Sequence, residues 1–138
     1  MDYAAVLLIK NNKGEVLFGK RSPLKKDYPN AWALPSETAH EGESSEDCAK
    51  RGATEELGIE IEIIKPLTSH TYTRESGKEM TITIYLCSIT SGILTIKAEE
   101  ELTELKWQKL DNFYQQHSDN EIAKGLQTLR TTYKELKI

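Results

Sequence analysis

Residues 34–59 read LPSETAHEGESSEDCAKRGATEELGI, and the middle of this stretch carries the punctuation of a helix with two defined ends. Ser44 can cap its N-terminus, with Asp47 three residues on as in a capping box. Gly58 stands where a left-handed residue would end it. Between them Cys48, Ala49, Ala53 and Leu57 form a narrow apolar stripe, and Lys50, Arg51, Glu55 and Glu56 occupy the other face. Glu55 and Glu56 project about 100° apart around the helix, so both reach one cleft only if it lies between them. Oxygen ligands that leave room for water and substrate phosphate are what Mg²⁺ selects. Arg51 lies four residues before Glu55, within reach of an intrahelical ion pair. A solvated acidic helix end has the same composition, so the pair alone does not decide the chemistry.

Outward from this helix the chain alternates strand and loop signals. Residues 4–10 are rich in Val, Leu and Ile, and residues 15–20 are a second apolar run. Asn11-Asn12-Lys13-Gly14 between them is turn-forming, so the start is expected to be a β-hairpin. Pro23, Asp27, Pro29 and Asn30 mark residues 21–30 as a loop, and the short apolar Ala31-Trp32-Ala33-Leu34 is stopped by Pro35. After Gly58, residues 59–64 and 70–74 read as two strands. Residues 80–89 alternate with period 2 and their second face is only moderately polar, so that strand is expected to be covered on both sides. Residues 93–96 and 104–110 are weaker strand signals. Ser118 with Glu121 forms a second capping box, and Ile122, Leu126, Leu129, Tyr133 and Leu136 recur at steps of three and four, which predicts one closing helix. This order favours an α/β protein with helices packed on a mixed sheet, residues 1–138 forming one domain.

Composition narrows the partners. The 138 residues carry 18 Lys and Arg against 22 Asp and Glu, a formal net charge of -4, and no broad basic field suggests a nucleic-acid partner. Hydrophobic residues at 38% and charged residues at 29% support a folded core. The first apolar run, residues 4–9, is too short to span a membrane and lacks the basic start of a signal peptide. Cys48 and Cys87 match no metal-ligand spacing and fit a reducing compartment, so a soluble cytoplasmic protein with no membrane partner is expected. Cys48, on the apolar stripe, reads as a small buried hydrophobe. His40, His70 and His117 form no metal spacing and read as structural or surface residues.

The whole 34–59 stretch resembles the Nudix box, G-x5-E-x7-R-E-U-x-E-E-x-G-U with U an apolar residue. Anchored on Arg51, the first Glu of the pattern falls on Glu43, the Glu pair on Glu55 and Glu56, the second Gly on Gly58 and the last apolar position on Ile59. Ala53 takes the first apolar position. The resemblance extends to the entry hairpin, the loop ending in Trp32-Ala33-Leu34-Pro35, the strand around Trp107 and the closing helix. It implies a Nudix-type α/β/α sandwich with a mixed central β-sheet. It also implies a Mg²⁺-dependent pyrophosphohydrolase, with Mn²⁺ as a substitute. The substrate would be a nucleoside diphosphate linked to another moiety, a nucleoside triphosphate being the first choice. Glu55 and Glu56 would be metal ligands, Glu43 an auxiliary ligand, and Ser36 a donor through its backbone carbonyl. Arg51 would position the Glu side chains and Arg21 would meet substrate phosphate. Lys25 and Lys26 border the same loop and read equally as solvated residues. Trp32, Trp107, Tyr72 and Tyr85 could stack a base, and core or sheet packing is the favoured reading for the tryptophans and for Tyr85.

Two positions depart from the pattern. Glu37 stands where the box begins with Gly, and Gly52 stands where it has the Glu that follows Arg. The second loss removes a carboxylate three and four residues before the pair, hence on the same helix face. Gly inside a helix also costs about 1 kcal/mol relative to Ala. A base must then come from elsewhere, with Glu99-Glu100-Glu101 or Glu37 as the candidates by position. The rival to the enzyme is a catalytically silent Nudix-fold module that binds a nucleotide. From the pattern alone, Gly52→Glu is expected to raise Mg²⁺-dependent turnover, measured as product release.

Overall fold

The segment Ala5 to Ile9 is apolar at every position, and both faces of the strand it forms are buried. Ala5, Leu7 and Ile9 point into one core, Val6 and Leu8 into another, the pattern of a strand with layers on both sides. The computed structural model describes residues 2–138. Its elements are β1 (Asp2–Ile9), β2 (Val16–Arg21), β3 (Trp32–Ala33), β4 (Ser36–Thr38), α1 (Ser45–Leu57), β5 (Ile59–Thr73), β6 (Glu79–Gly92), β7 (Leu102–Gln108), α2 (Leu110–Gln116) and α3 (Lys124–Arg130). The strands form a four-stranded mixed sheet, β4-β1-β6-β5, and a three-stranded sheet, β3-β2-β7. β1 runs parallel to β6 and antiparallel to β4. Helix α1 covers one side through Cys48, Ala49, Ala53 and Leu57. Helices α2 and α3 cover the other through Leu110, Phe113, Leu126 and Leu129. The result is the expected α/β/α sandwich, with its strands divided between two sheets.

The expected N-terminal hairpin is replaced by a turn joining the two sheets. Asn11 Oδ1 accepts from the backbone N–H of Lys13 and Glu15 at 3.0 and 2.9 Å, so the turn forms as its residues dictate. Pairing between the arms stops at the single Lys10–Val16 bridge, because β1 finds β6 while β2 finds β3 and β7. The two strands expected in residues 59–74 are one long strand. Pro66 is accommodated where the register shifts, on the edge of its sheet, where a missing N–H and a bulge are tolerated.

Residues 93–96 are not a strand. Their neighbourhood is committed elsewhere: Thr95 and Lys97 donate backbone N–H bonds to Leu57 and Glu56 carbonyls at 3.0 and 2.8 Å, satisfying acceptors that the end of α1 leaves open. The signal at 104–110 is strand only as far as Gln108, after which α2 begins at Leu110. The single closing helix is broken. The capping box of Ser118 and Glu121 forms, but over a 3₁₀ turn, Asp119–Glu121. Ile122 and Ala123 are extended. Ala123 N–H donates to the Trp32 carbonyl at 2.9 Å, and Ile122 bridges to Trp32, so this piece of chain pairs with β3 before α3 starts. The apolar steps survive the break, since Ile122, Leu126 and Leu129 are still buried. Phe113 of α2 stacks on Phe18 of β2 with ring centroids 3.9 Å apart, which ties the α2 layer to the second sheet. Phe113→Ala is expected to cost about 3–5 kcal/mol of folding stability, measured by urea unfolding. A loss below about 1 kcal/mol would mean this stack is not what joins the layers.

Candidate active site

The box helix forms with the ends its residues announce. Ser44 Oγ accepts from Asp47 N–H at 3.1 Å, and Gly58 closes the helix at φ 69°, a conformation in which glycine carries no steric penalty. Arg51, midway along α1, is the hub of the polar face. Its Nε and one terminal nitrogen hold both carboxylate oxygens of Glu43 at 2.8 and 2.9 Å. The same nitrogen donates to the Thr38 carbonyl at 3.0 Å, and the other holds Glu55 at 3.1 Å. The bidentate bond, with a further N–H from His40 at 3.0 Å, holds the Glu43 carboxyl down at about 2, the Arg51 hydrogen bond being the main cause. Arg51 is pushed above its ordinary range by the same bond.

Glu56 lies on the other side of the helix. Its residue is nine-tenths buried, and among the described residues no hydrogen bond or ion pair reaches its side chain. Burial, then the negative charges of Glu37 and Glu101, pushes its carboxyl up to about 8. It lines a cavity of about 510 Å³ together with Arg21, Lys25, Ser36, Glu37 and Glu101. Ser36 sits on β4, the edge strand. Leu7 N–H donates to the Pro35 carbonyl and Ala39 N–H to the Tyr3 carbonyl, so odd-numbered residues turn their backbone groups toward β1. By the alternation of an extended strand the Ser36 carbonyl faces away from β1, over the free edge.

The expected site residues therefore fall into two groups. Glu56, Ser36 and Arg21 share the cavity. Glu43, Glu55 and Arg51 form the buttress beside it, with Glu55 the most open, its side chain 58% exposed. Of the acidic run 99–101 only Glu101 enters the cavity, where it pairs with Lys25 at 2.5 Å. Lys26 is exposed outside it. Arg21 is oriented by an Nε bond to the Asp27 carbonyl at 3.0 Å. Tyr72 is on the cavity wall, whereas Tyr85 is buried in the core around α1. Trp32 packs against the opposite core, under Lys106 at 4.3 Å, and Trp107 packs against the core around α1. Sequence reasoning missed Tyr28 and Arg74, both at the cavity. Arg74 arrives from the turn between β5 and β6, where no motif marks it, and it pairs with Asp2.

The two departures from the box meet in space. The side chain of Glu37 on β4 lies across Gly52: a Cβ built on Gly52 would stand 2.8 Å from Glu37 Cβ and 3.3 Å from its Cγ. Gly52 is helical and needs no positive φ, so the space itself is what the glycine provides. The expectation that Gly52→Glu alone raises turnover is thereby reversed, because the new side chain would collide with the root of Glu37.

Among the described residues no group of three His, Cys, Asp or Glu side chains is already gathered around one point. The donors at hand are all oxygen, and one of them is a buried carboxylate without a partner, which suits a hard divalent cation sharing its shell with substrate and water. Neither cysteine forms a disulfide, and both are buried. No helix among the described residues is long and apolar enough to cross a membrane.

The family model of the NUDIX domain matches residues 2–128. The chain belongs to the Nudix family. An uncharacterised Nudix hydrolase of Listeria monocytogenes is 39% identical over 70 residues, covering 50% of this chain and 41% of that protein. A Methanosarcina mazei protein named prenyl-diphosphate phosphatase is 27% identical over 111 residues, covering 80% of this chain and 65% of that one. The matches thus span less than two thirds of either relative. In fold, this Nudix chain superposes on the crystal structure of a MutT protein from Methanosarcina mazei with a TM-score of 0.78. The identity is 20%, over 96% of this chain and 93% of the other.

The pH dependence of stability reports on the buried carboxyl. Below its ordinary value of 4.5 Glu56 is protonated folded and unfolded alike. Between 4.5 and about 8 the folded protein keeps a proton that the unfolded chain has released, so this contribution falls as pH rises, by up to about 1.4 kcal/mol per pH unit. Glu43 acts in the opposite sense, its contribution being present above 4.5 and lost as pH falls toward about 2. Metal-free wild type is therefore expected to lose stability in urea between pH 5.5 and 7.5, and Glu56→Gln to flatten that decline. An equal slope in both would place the proton on another group.

Proposed function

We propose that this Nudix protein is a Mg²⁺-dependent pyrophosphohydrolase acting on a nucleoside diphosphate linked to another moiety, with nucleoside triphosphates as the first substrates to try. The observation that carries this reading is Glu56, a buried carboxylate with no protein partner, set in a cavity that also holds Arg21, Lys25 and Arg74. A lone buried carboxylate is costly, and a divalent cation between it and a diphosphate offsets that cost.

Glu56 and Glu55 would hold the cation, with the Ser36 carbonyl on the strand edge and Glu43 as an auxiliary ligand. When bound, the cation supplies charge neutralisation and lowers the pKa of a water. The protein's part is to fix the oxygens. Arg51 orients Glu43 and Glu55 from behind. Arg21, tied to the Asp27 carbonyl, offers its remaining donors to a phosphate oxygen. Lys25 can exchange Glu101 for phosphate. Hydrolysis joins a water oxygen to one phosphorus, and the bridging oxygen leaves with the other phosphate. Tyr28 and Tyr72, each about 40% exposed, offer aromatic faces to a base at the cavity mouth.

Part of the wall is apolar, with Val6, Leu34, Ile82 and Leu126 among its residues. Such a wall also fits an isoprenoid chain, and prenyl diphosphates belong in the test because one relative carries that name. Product release should be followed with nucleoside triphosphates, nucleoside diphosphate conjugates and prenyl diphosphates, with Mg²⁺ or Mn²⁺. Wild type and Glu56→Gln must be purified identically. Wild type is expected to turn over at least one class, and Glu56→Gln to lose at least about 100-fold, the upper end of what disturbing a metal ligand's partner costs. Equal rates in the two proteins, or none on any class, would favour the silent binding module.

A further inference from the structure

We infer that Glu37 supplies the metal-ligating carboxylate absent from position 52, so that the cation is held between strand β4 and helix α1. This inference rests on the metal-dependent reading of the site. Its basis is the packing of two residues that are far apart in the chain. A Cβ at position 52 would lie 2.8 Å from Glu37 Cβ and 3.8 Å from Glu37 Oε2. The acidic side chain therefore runs over the bare helix backbone, along the path that a side chain from position 52 would need. Because the clash is between the two Cβ atoms, only one of the two positions has room for a side chain in this packing.

The carboxylate so delivered is only partly satisfied. Glu37 Oε1 accepts from Thr38 N–H at 3.0 Å, and Oε2 has a single long ion pair, 3.7 Å from Arg51. Its side chain is 25% exposed, and it lines the same cavity as the Ser36 carbonyl and Glu56. Glu56 provides the independent sign of a ligand, being nine-tenths buried with no protein partner of its own. Two carboxyl groups facing one cavity, one partnerless and the other poorly paired, can both be ionised without mutual repulsion only when a cation lies between them. Glycine weakens α1 as a helix, and the room it leaves is taken by Glu37. The Gly and Glu of the box are thus exchanged between strand and helix, and the number of carboxylates at the site is unchanged.

The test is Mn²⁺ binding to the metal-free protein without substrate, read by the electron paramagnetic resonance signal of free Mn²⁺. Metal-free urea unfolding serves as the check on folding. Glu37→Gln keeps the shape over Gly52 and is expected to unfold like wild type while binding Mn²⁺ at least about tenfold more weakly. Gly52→Glu alone is expected to lose stability without gaining affinity. The double variant Glu37→Gly with Gly52→Glu is expected to recover most of the wild-type affinity. If Glu37→Gln binds as tightly as wild type while Glu56→Gln does not, the exchange is wrong and the metal site stands. If wild type and Glu56→Gln bind alike, or neither binds, the metal site itself is wrong and the exchange falls with it.

Discussion

A single guanidinium organises the polar side of this protein. Arg51 touches Glu43 from the loop before α1, Glu55 one turn on, and the Thr38 carbonyl and Glu37 from β4. Three chain segments are thereby pinned to one rigid fork, whose planar donors fix angle as well as distance. The consequence is positional. Glu43 and Glu55 are held by this fork just outside the cavity, and Glu56, the next residue along the helix, lines it. Lysine at position 51 would carry the same charge without the fork and would not define these directions.

The second constraint is the edge of the mixed sheet. β4 is only three residues long and pairs on one side, with β1. Its outer edge therefore keeps backbone oxygens free, and its side chains approach α1 closely enough that one helix residue must be glycine. The same edge borders the cavity that Arg21 reaches from the end of β2 and Lys25 from the loop after it. The site is thus assembled from a strand edge, a helix face and a loop, and none of the three contains it alone. Close approach explains why a helix-weakening residue is found at the centre of the most informative motif in the chain.

Legibility in the sequence followed the range of the interactions. The box helix was readable to its ends because Ser44, Asp47 and Gly58 act within a few residues. The covering of β6 on both faces was readable from the period-2 pattern of residues 80–89, with Tyr85 and Cys87 in one core and Ile84 and Leu86 in the other. Misreadings arose where distant partners compete for backbone groups. The continuous apolar spacing from Ile122 to Leu136 predicts one helix, yet β3 takes the hydrogen bond of Ala123 and breaks it. Residues 93–96 look like strand, yet Thr95, and Lys97 just beyond, serve the carbonyls at the end of α1. The partition of the first two strands between different sheets left no local trace.

The sequence by itself determined the family, the sandwich of helices about strands, and the residue types at the site, because spacing within one helix places Arg51, Glu55 and Glu56 whatever the rest of the chain does. It also exposed the two irregular positions, Glu37 and Gly52, as separate defects. Only the tertiary structure decided that they are one feature, since 15 positions of chain separate two residues that meet when β4 docks on α1. It also decided which carboxylates face the cavity. Burial and side-chain contact depend on what packs against a helix face, and that is set by the sheet.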